Sequence, residues 1–332
     1  MKKLVNNPDH VAAEMAEGMA LAFPHLVRQV PGTQGVVRNE APIQGKVAVV
    51  VGGGSGHEPM FLGYTGAGMA TAGIAGNVFA SPPPRPIFLT AKAAHGGAGV
   101  LFLYGNYAGD TLNFDAAVDM LQDEGIEVAT VRVTDDIASA PFANRDRRRG
   151  IAGNLFVFKI AGARAEEGAP LAVVTQAAAK ANDNTRSMGI ALSSCIIPAS
   201  GKPIFQLGED EIELGMGIHG EPGEVRSKIS SADEVTAQIV SRILADMPVT
   251  GGEEVAVLVN GLGATPICEL YIMFRAVQQL LNEKDIGICR SYVGNYASSL
   301  DMAGCSVTVM KLDSELKRLL LAPANTPALV QV

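Results

Sequence analysis

Five histidines occur in the chain, and two of them sit in short glycine- and proline-rich loops beside a glutamate. The first loop is Gly52-Gly53-Gly54-Ser55-Gly56-His57-Glu58-Pro59, and the second is Gly217-Ile218-His219-Gly220-Glu221-Pro222-Gly223. A histidine titrates at about pH 6.5, so it can take and return a proton near neutrality. Glycines let backbone N–H groups approach a small ligand closely. His57 therefore qualifies as a general base, and His219 as a second site residue in a loop held tight by two glycines and a proline. A third polar group, Asp110, closes Gly105-Asn106-Tyr107-Ala108-Gly109-Asp110, after the apolar run Val100–Tyr104. Spacing alone leaves structural alternatives open: a glycine turn with His57 packed as a spacer, a packed histidine at 219, and a helix cap at Asp110.

The first loop fits none of the common glycine motifs. A dinucleotide fingerprint starting at Gly52 needs a third glycine where His57 stands. No Gly-Lys-Ser/Thr ends a phosphate loop. A nucleophile elbow around Ser55 again fails at His57, and His57-Glu58 lacks the second histidine of a zinc protease. Cys195, Cys268, Cys289 and Cys305 form no C-x-x-C pair, so neither a zinc site nor a redox dithiol is expected, and no metal is assigned to this chain. Asn260-Gly261-Leu262-Gly263-Ala264-Thr265-Pro266 is another strand-to-helix glycine loop, fit for a packing turn or for an anion. Arg145-Asp146-Arg147-Arg148-Arg149-Gly150 is the one basic cluster: a solvated face, or a contact for an acidic partner or phosphate donor.

The elements that must position these loops alternate, which predicts an α/β class. Strands are expected at Lys46–Val51, Ala70–Gly76, Val100–Tyr104 and Glu127–Val133, and later at Gly189–Ile197, Glu211–Gly217, Glu254–Asn260, Gly287–Val293 and Ser306–Leu312. Helices are expected at Leu112–Glu124, at Asn154–Lys180 with a break near Glu167-Gly168-Ala169-Pro170, at Asp233–Met247 and at Ile267–Glu283. The polar, aperiodic stretch Asn182–Arg186 marks a domain boundary, giving residues 1–183 with His57 and Asp110, and 184–332 with His219.

The chain has 332 residues, of which 48% are hydrophobic and 18% charged, as a folded two-domain protein requires. A net charge of −8 disfavours nucleic acid and anionic membrane surfaces. No apolar stretch is long enough to span a membrane, and Met1–Val5 leads into no signal core, so a cytoplasmic location is expected.

Taken together, the loops resemble the K subunit of dihydroxyacetone kinase. The matching segments are Gly52–Met60, Asn106-Tyr107-x-Gly109-Asp110 with Leu112-Asn113-Phe114, Gly215-x-Gly217–Gly223, Asn260–Pro266, Ser299-Leu300-Asp301-Met302 and Thr326-Pro327-Ala328-Leu329. The resemblance runs from Lys2 to the C-terminus. It implies two α/β domains, each on a mixed, largely parallel sheet, in a subunit that forms homodimers. It also implies a role for each loop. His219 attacks the carbonyl carbon of a short ketose to form a hemiaminal, which selects ketones over alcohols and fixes a flexible substrate. His57 accepts the proton of the terminal hydroxyl, Asp110 hydrogen-bonds that substrate and shares the base role, and Gly54, Ser55, Gly56 and Gly105 line it. By the same resemblance this chain binds no cofactor. ATP or ADP with magnesium belongs to a separate helical L subunit, which a phosphocarrier of the phosphotransferase system recharges in some members. The chain ends at Val332, before any such domain. One departure stands out: many dihydroxyacetone-specific members place a lysine where this chain has Gly105, so a larger ketose, such as erythrulose or apulose, is expected to fit. The rivals are a ketose-sensing coactivator, which needs His219 but no base, and a nucleotide-dependent oxidoreductase, which the missing third glycine disfavours.

Overall fold

In the computed structural model, which describes residues 2–332, the chain divides into two compact units. The first comprises Lys2–Val133, Leu155–Ala181 and Arg318–Val332; the second comprises Thr134–Asn154 and Asn182–Lys317.

The first unit is built on a six-stranded sheet: β1 (Val27–Gln29), β2 (Gly35–Arg38), β3 (Ala48–Ser55), β4 (Ala72–Val78), β5 (Val100–Gly105) and β6 (Val128–Val133), in the order β1-β2-β4-β3-β5-β6. The four strands β4, β3, β5 and β6 run parallel to one another, while β2 adds on antiparallel to β4 and β1 antiparallel to β2. Every residue of β3 and β5 is buried, as expected for strands covered on both faces. Helices α1 (Val11–Ala22), α2 (Pro84–Ala94), α3 (Ala108–Asp123), α4 (Asn154–Glu166) and α5 (Leu171–Asp183) accompany it. One core joins Val50, Ile74, Phe102 and Tyr104 of the sheet to Ile87 of α2 and Phe114 and Leu121 of α3. Gly125, with φ +75°, ends the third helix where the sequence placed its stop. Pro84 opens α2, because the first helical turn needs no N–H from its own residues.

The second unit holds β7 (Thr185–Ser193), β8 (Glu211–Leu214), β9 (Val225–Lys228), β10 (Glu254–Gly261), β11 (Gly287–Gly294) and β12 (Ala303–Leu312), in the order β11-β10-β12-β7-β8-β9. Both sheets are mixed, as expected. The largely parallel character belongs to the first; in the second only β10 and β11 are parallel. Helices α6 (Ala232–Asp246) and α7 (Ile267–Asn282) cover its core through Val235, Ile239, Ile243, Met273 and Val277. Ser231 and Glu234 form a capping box at the start of the sixth helix. A last helix, α8 (Ser314–Leu321), leads to the short pair β13 (Ala324–Asn325) and β14 (Val330–Gln331).

Two differences from the sequence pattern have physical causes. The seventh strand starts at Thr185, inside the stretch that reads as a linker. Its early residues are polar but buried: Arg186 is bonded to Asp246 at 2.6 Å, and Ser187 Oγ lies 2.7 Å from Thr308 Oγ1. Arg148, in the basic cluster, is also no solvated side chain. It is 1% exposed, and its guanidinium grips Asp246 at 2.8 and 2.5 Å. Buried charges persist only when paired in this way. No helix among the described residues is long and apolar enough to cross a membrane.

Candidate functional site

In the first unit the sequence-predicted residues gather at the C-terminal ends of two adjacent parallel strands. β3 runs through Gly52-Gly53-Gly54 to Ser55, and β5 ends at Gly105. The glycines have packing reasons of their own. A Cβ on Gly53 would lie 2.3 Å from the Phe61 ring, and one on Gly54 would lie 2.7 Å from the backbone N of Ala80. The missing side chain at Gly54 therefore seats the Asn77–Ala80 turn, where Phe79 N donates to Ser55 O at 2.9 Å. Phe79 adopts φ +57°, a conformation costly for an aromatic residue. Its ring stacks on His57 at 4.9 Å, with 14° between the planes. That contact holds the His57 ring, which is only 2% exposed.

Gly56, at φ +99°, turns the chain into the His57 loop, and its N–H donates to both oxygens of Glu58 at 3.0 Å. Burial pushes the Glu58 carboxyl up against these donors. Glu58 thus shapes the loop. Ser55 Oγ is buried and makes no hydrogen bond within the described residues, a costly state for a hydroxyl. Asp110 is buried in the first turn of the third helix, whose N-cap is Tyr107 rather than Asp110. Its negative charge suits the positive helix end. Tyr104, beside Gly105, faces the core and stacks on Phe114 at 4.3 Å. Position 105 itself is a buried glycine that ends the fifth strand.

In the second unit β8 stops at Leu214, earlier than the expected Gly217, because Gly215 takes φ +83° and starts the His219 loop. His219 is half-buried. Its Nδ1 lies 3.0 Å from Glu221 Oε1, and its backbone N–H donates to Glu221 Oε2 at 2.9 Å. Burial opposes the charge on Glu221. The hydrogen bond and charge of His219, with the charge of Arg149 behind them, outweigh it and hold the carboxyl at about 2. An ionised carboxylate only accepts, so Nδ1 is the donor of this pair, and in the neutral form of the ring the lone pair falls on Nε2. This arrangement suits nucleophilic addition through Nε2.

The remaining matched segments form the scaffold of the two loops. Ser299 Oγ donates to Ile218 O at 2.6 Å, directly before His219, and Ser299 N donates to Leu262 O at 2.8 Å. Asn260 Oδ1 accepts from Tyr296 N and Ala297 N, both at 2.8 Å. The glycine loop at 260–266 is thus bound into packing. In the first unit Ala328 N donates to Gly63 O at 3.0 Å, which ties Thr326–Leu329 to the segment after His57. Sequence reasoning missed Phe79, Arg149 and the orienting role of Glu221. Only the His-Gly-Glu spacing hinted at the last. Among the described residues no group of three or more histidine, cysteine, aspartate or glutamate side chains could hold a metal ion.

The site's ionisation sets a pH dependence. Glu221 sits below its ordinary value of 4.5, so its stabilisation is present above that pH and is lost as pH falls toward 2. Asp136, which burial pushes up to about 7 despite Arg149, acts oppositely: its stabilisation is present below 3.8 and is lost as pH rises through 7. Replacing Glu221 by Gln should remove the Glu221 share of the acid-side slope, on the order of 1–3 kcal/mol, and leave the share of the other lowered carboxylates such as Asp246 and Glu166. Thermal unfolding midpoints between pH 5 and pH 3 check this; parallel curves for both proteins would contradict it.

Residues 17–328 match the model of the Dak1 domain. The chain is 48% identical over 328 residues to the dihydroxyacetone-binding subunit DhaK of the PTS-dependent dihydroxyacetone kinase 2 of Listeria innocua, covering 98% of each chain. It is 47% identical to the D-erythrulose kinase of Mycolicibacterium smegmatis, where 99% of this chain spans 56% of the relative. Among solved structures, the dihydroxyacetone kinase of C. freundii in complex with AMP-PNP and Mg2+ superposes with a TM-score of 0.92 at 34% identity, covering 99% of this chain and 61% of the kinase. The co-activator Dha-DhaQ superposes with a TM-score of 0.90 at 31% identity, covering 96% and 98%. The chain therefore belongs to the Dak1 family and has the fold of the dihydroxyacetone-binding subunit of dihydroxyacetone kinase.

Proposed function

We propose that this chain is the substrate-holding subunit of a short-chain ketose kinase, in which Nε2 of His219 captures the ketone as a hemiaminal. The observation that carries this reading is the Nδ1–Glu221 hydrogen bond, which leaves Nε2 as the nucleophilic nitrogen. In the addition Nε2 bonds to the carbonyl carbon, the π pair moves to oxygen, and the proton lost from the ring balances the one gained by oxygen. Capture needs an electrophilic carbon, so glycerol and other polyols are excluded. His57 takes the proton of the terminal hydroxyl during phosphoryl transfer, and Asp110 hydrogen-bonds that hydroxyl. Ser55 Oγ supplies a buried group that a substrate hydroxyl would satisfy. Gly54, Gly56 and Gly105 add a lining poor in side chains.

The phosphoryl group comes from a partner, a helical L subunit holding ATP or ADP with magnesium. The Listeria relative's name points to recharging by a phosphocarrier of the phosphotransferase system. The chain acts as a homodimer in the cytoplasm. A coactivator role is the second reading, favoured by the likeness to Dha-DhaQ. A sensor needs His219 but no base, so the buried and stacked His57 favours the kinase.

Two measurements test this. Replacing His57 by Ala should leave the ketose adduct visible in intact-protein mass spectra, yet lower turnover with the partner subunit by about 10²–10⁴-fold. Loss of the adduct together with turnover would reassign His57 to capture, and unchanged turnover would remove its role as base. The open position at Gly105, together with relatives named D- and L-erythrulose kinases at 47% and 46% identity, supports a four- or five-carbon substrate. The ratio of kcat/KM should favour erythrulose or apulose over dihydroxyacetone; a strong preference for dihydroxyacetone would overturn that assignment.

A further inference from the structure

Arg149 belongs to the basic run that reads from sequence as a solvated face, but the fold turns it toward the His219 loop. Its Nε donates to Asp136 Oδ2 at 2.9 Å, and its Nη2 lies 2.8 Å from the same oxygen. The backbone N–H of Arg149 donates to Ser139 Oγ at 2.9 Å, and Nη2 also reaches Gly215 O at 3.3 Å, where the loop begins. Nη1 stands 3.8 Å from Glu221 Oε2. Asp136 is a firm anchor: it is 1% exposed, accepts from Ala138 N at 3.2 Å, and lies in a segment bridged to Ser187. One end of the guanidinium is thus fixed on a buried carboxyl, and the other faces the carboxylate that holds His219.

Gly217 gives an independent sign. A Cβ at this position would lie 2.1 Å from Glu221 Oε2 and 2.6 Å from Arg149 Nη1. Unlike Gly215 and Gly220, Gly217 does not need glycine for its backbone angle. The arginine and glutamate side chains fill the space that any other residue at 217 would occupy. The loop is therefore shaped around this pair.

We propose that Arg149 is a positioning residue for His219: through Glu221 it holds the imidazole with its proton on Nδ1 and its lone pair on Nε2. The proposal rests on reading His219 as the group that captures the ketose. When Nε2 adds to the carbonyl, the ring carries positive charge until the Nδ1 proton departs and the new alkoxide is protonated. A carboxylate fixed at Nδ1 stabilises that ring, as the carboxylate of a Ser-His-Asp triad stabilises its imidazolium. Arg149 keeps the carboxylate in place and charged. Without it, Glu221 rotates, the tautomers mix, and less of the ring presents Nε2 for addition.

Nitrogen-15 NMR of the full-length chain with labelled histidine reads the tautomer directly, and intact-mass titration with erythrulose and dihydroxyacetone reads capture. In the unaltered protein His219 should show a pyrrole-type Nδ1 and a pyridine-type Nε2. In Arg149→Met those signals should move toward a mixture, and the apparent affinity for the adduct should fall by about tenfold, in the range of other outer-layer losses. Arg149→Lys, which keeps the charge but not the fork, should recover part of it. Ring-nitrogen signals and adduct affinity both unchanged in Arg149→Met would overturn the proposal, as would a proton on Nε2 in the unaltered chain. Should Arg149→Met fail to fold by circular dichroism, the Lys variant and the unaltered chain decide. Absence of any adduct in the unaltered protein would defeat the reading of His219 itself, while the ring-nitrogen signals would still judge the positioning claim.

Discussion

An imidazole has two nitrogens, and only the one without a proton can add to a carbonyl. In His219 the hydrogen bond from Nδ1 to Glu221 keeps the proton of the neutral ring on Nδ1 and off Nε2. Much of the second unit serves this one contact. Gly215 ends the strand so that the loop can begin, and Ser299 pins the carbonyl just before His219. Gly217 leaves room for the side chains that converge behind the ring. The segment 134–154 delivers Arg149 from a distant part of the sequence, anchored by Asp136. A loop of seven residues could not hold a side chain this way by its own turns; it is braced from the seventh strand, from Ser299 ahead of the twelfth, and from the segment 134–154.

The first unit solves a different problem, which is to hold a histidine still at a strand end. Its glycines act mainly by what they let approach. Gly54 admits the turn that carries Phe79, and the Phe79 ring stacks on His57. The turn carries a left-handed phenylalanine, a strain tolerated where Phe79 N is bonded to Ser55 at the end of the third strand. Ser55 is left with a buried hydroxyl that the fold itself does not satisfy. Strained backbone and unsatisfied polar groups cluster where proteins bind ligands.

The alternation of strands and helices and both histidine loops were legible in the sequence, because buried parallel strands are continuous apolar runs and glycine loops stand out between them. What could not be read has a common cause. Thr185 and Arg186 fall in the stretch Asn182–Arg186 that reads as a boundary, because the charge of Arg186 is satisfied by a residue far along the chain, Asp246. Arg148 and Arg149 looked solvated for the same reason: their partners Asp246 and Asp136 are invisible to a local pattern. The orientation of the second sheet depends on long-range pairing, which periodicity does not encode. The glycine-rich strand, read as an approach for a ligand, also turned out to be a packing surface for Phe61 and Ala80.

In the proposed capture the ketone carbon becomes bonded to His219. Carbon-13 NMR of the protein with a short ketose labelled at its carbonyl carbon tests this most directly. The bound carbon should leave the ketone region and appear as a tetrahedral carbon, and this signal should be missing with His219→Ala. A ketose that binds while its carbonyl carbon stays trigonal would contradict it.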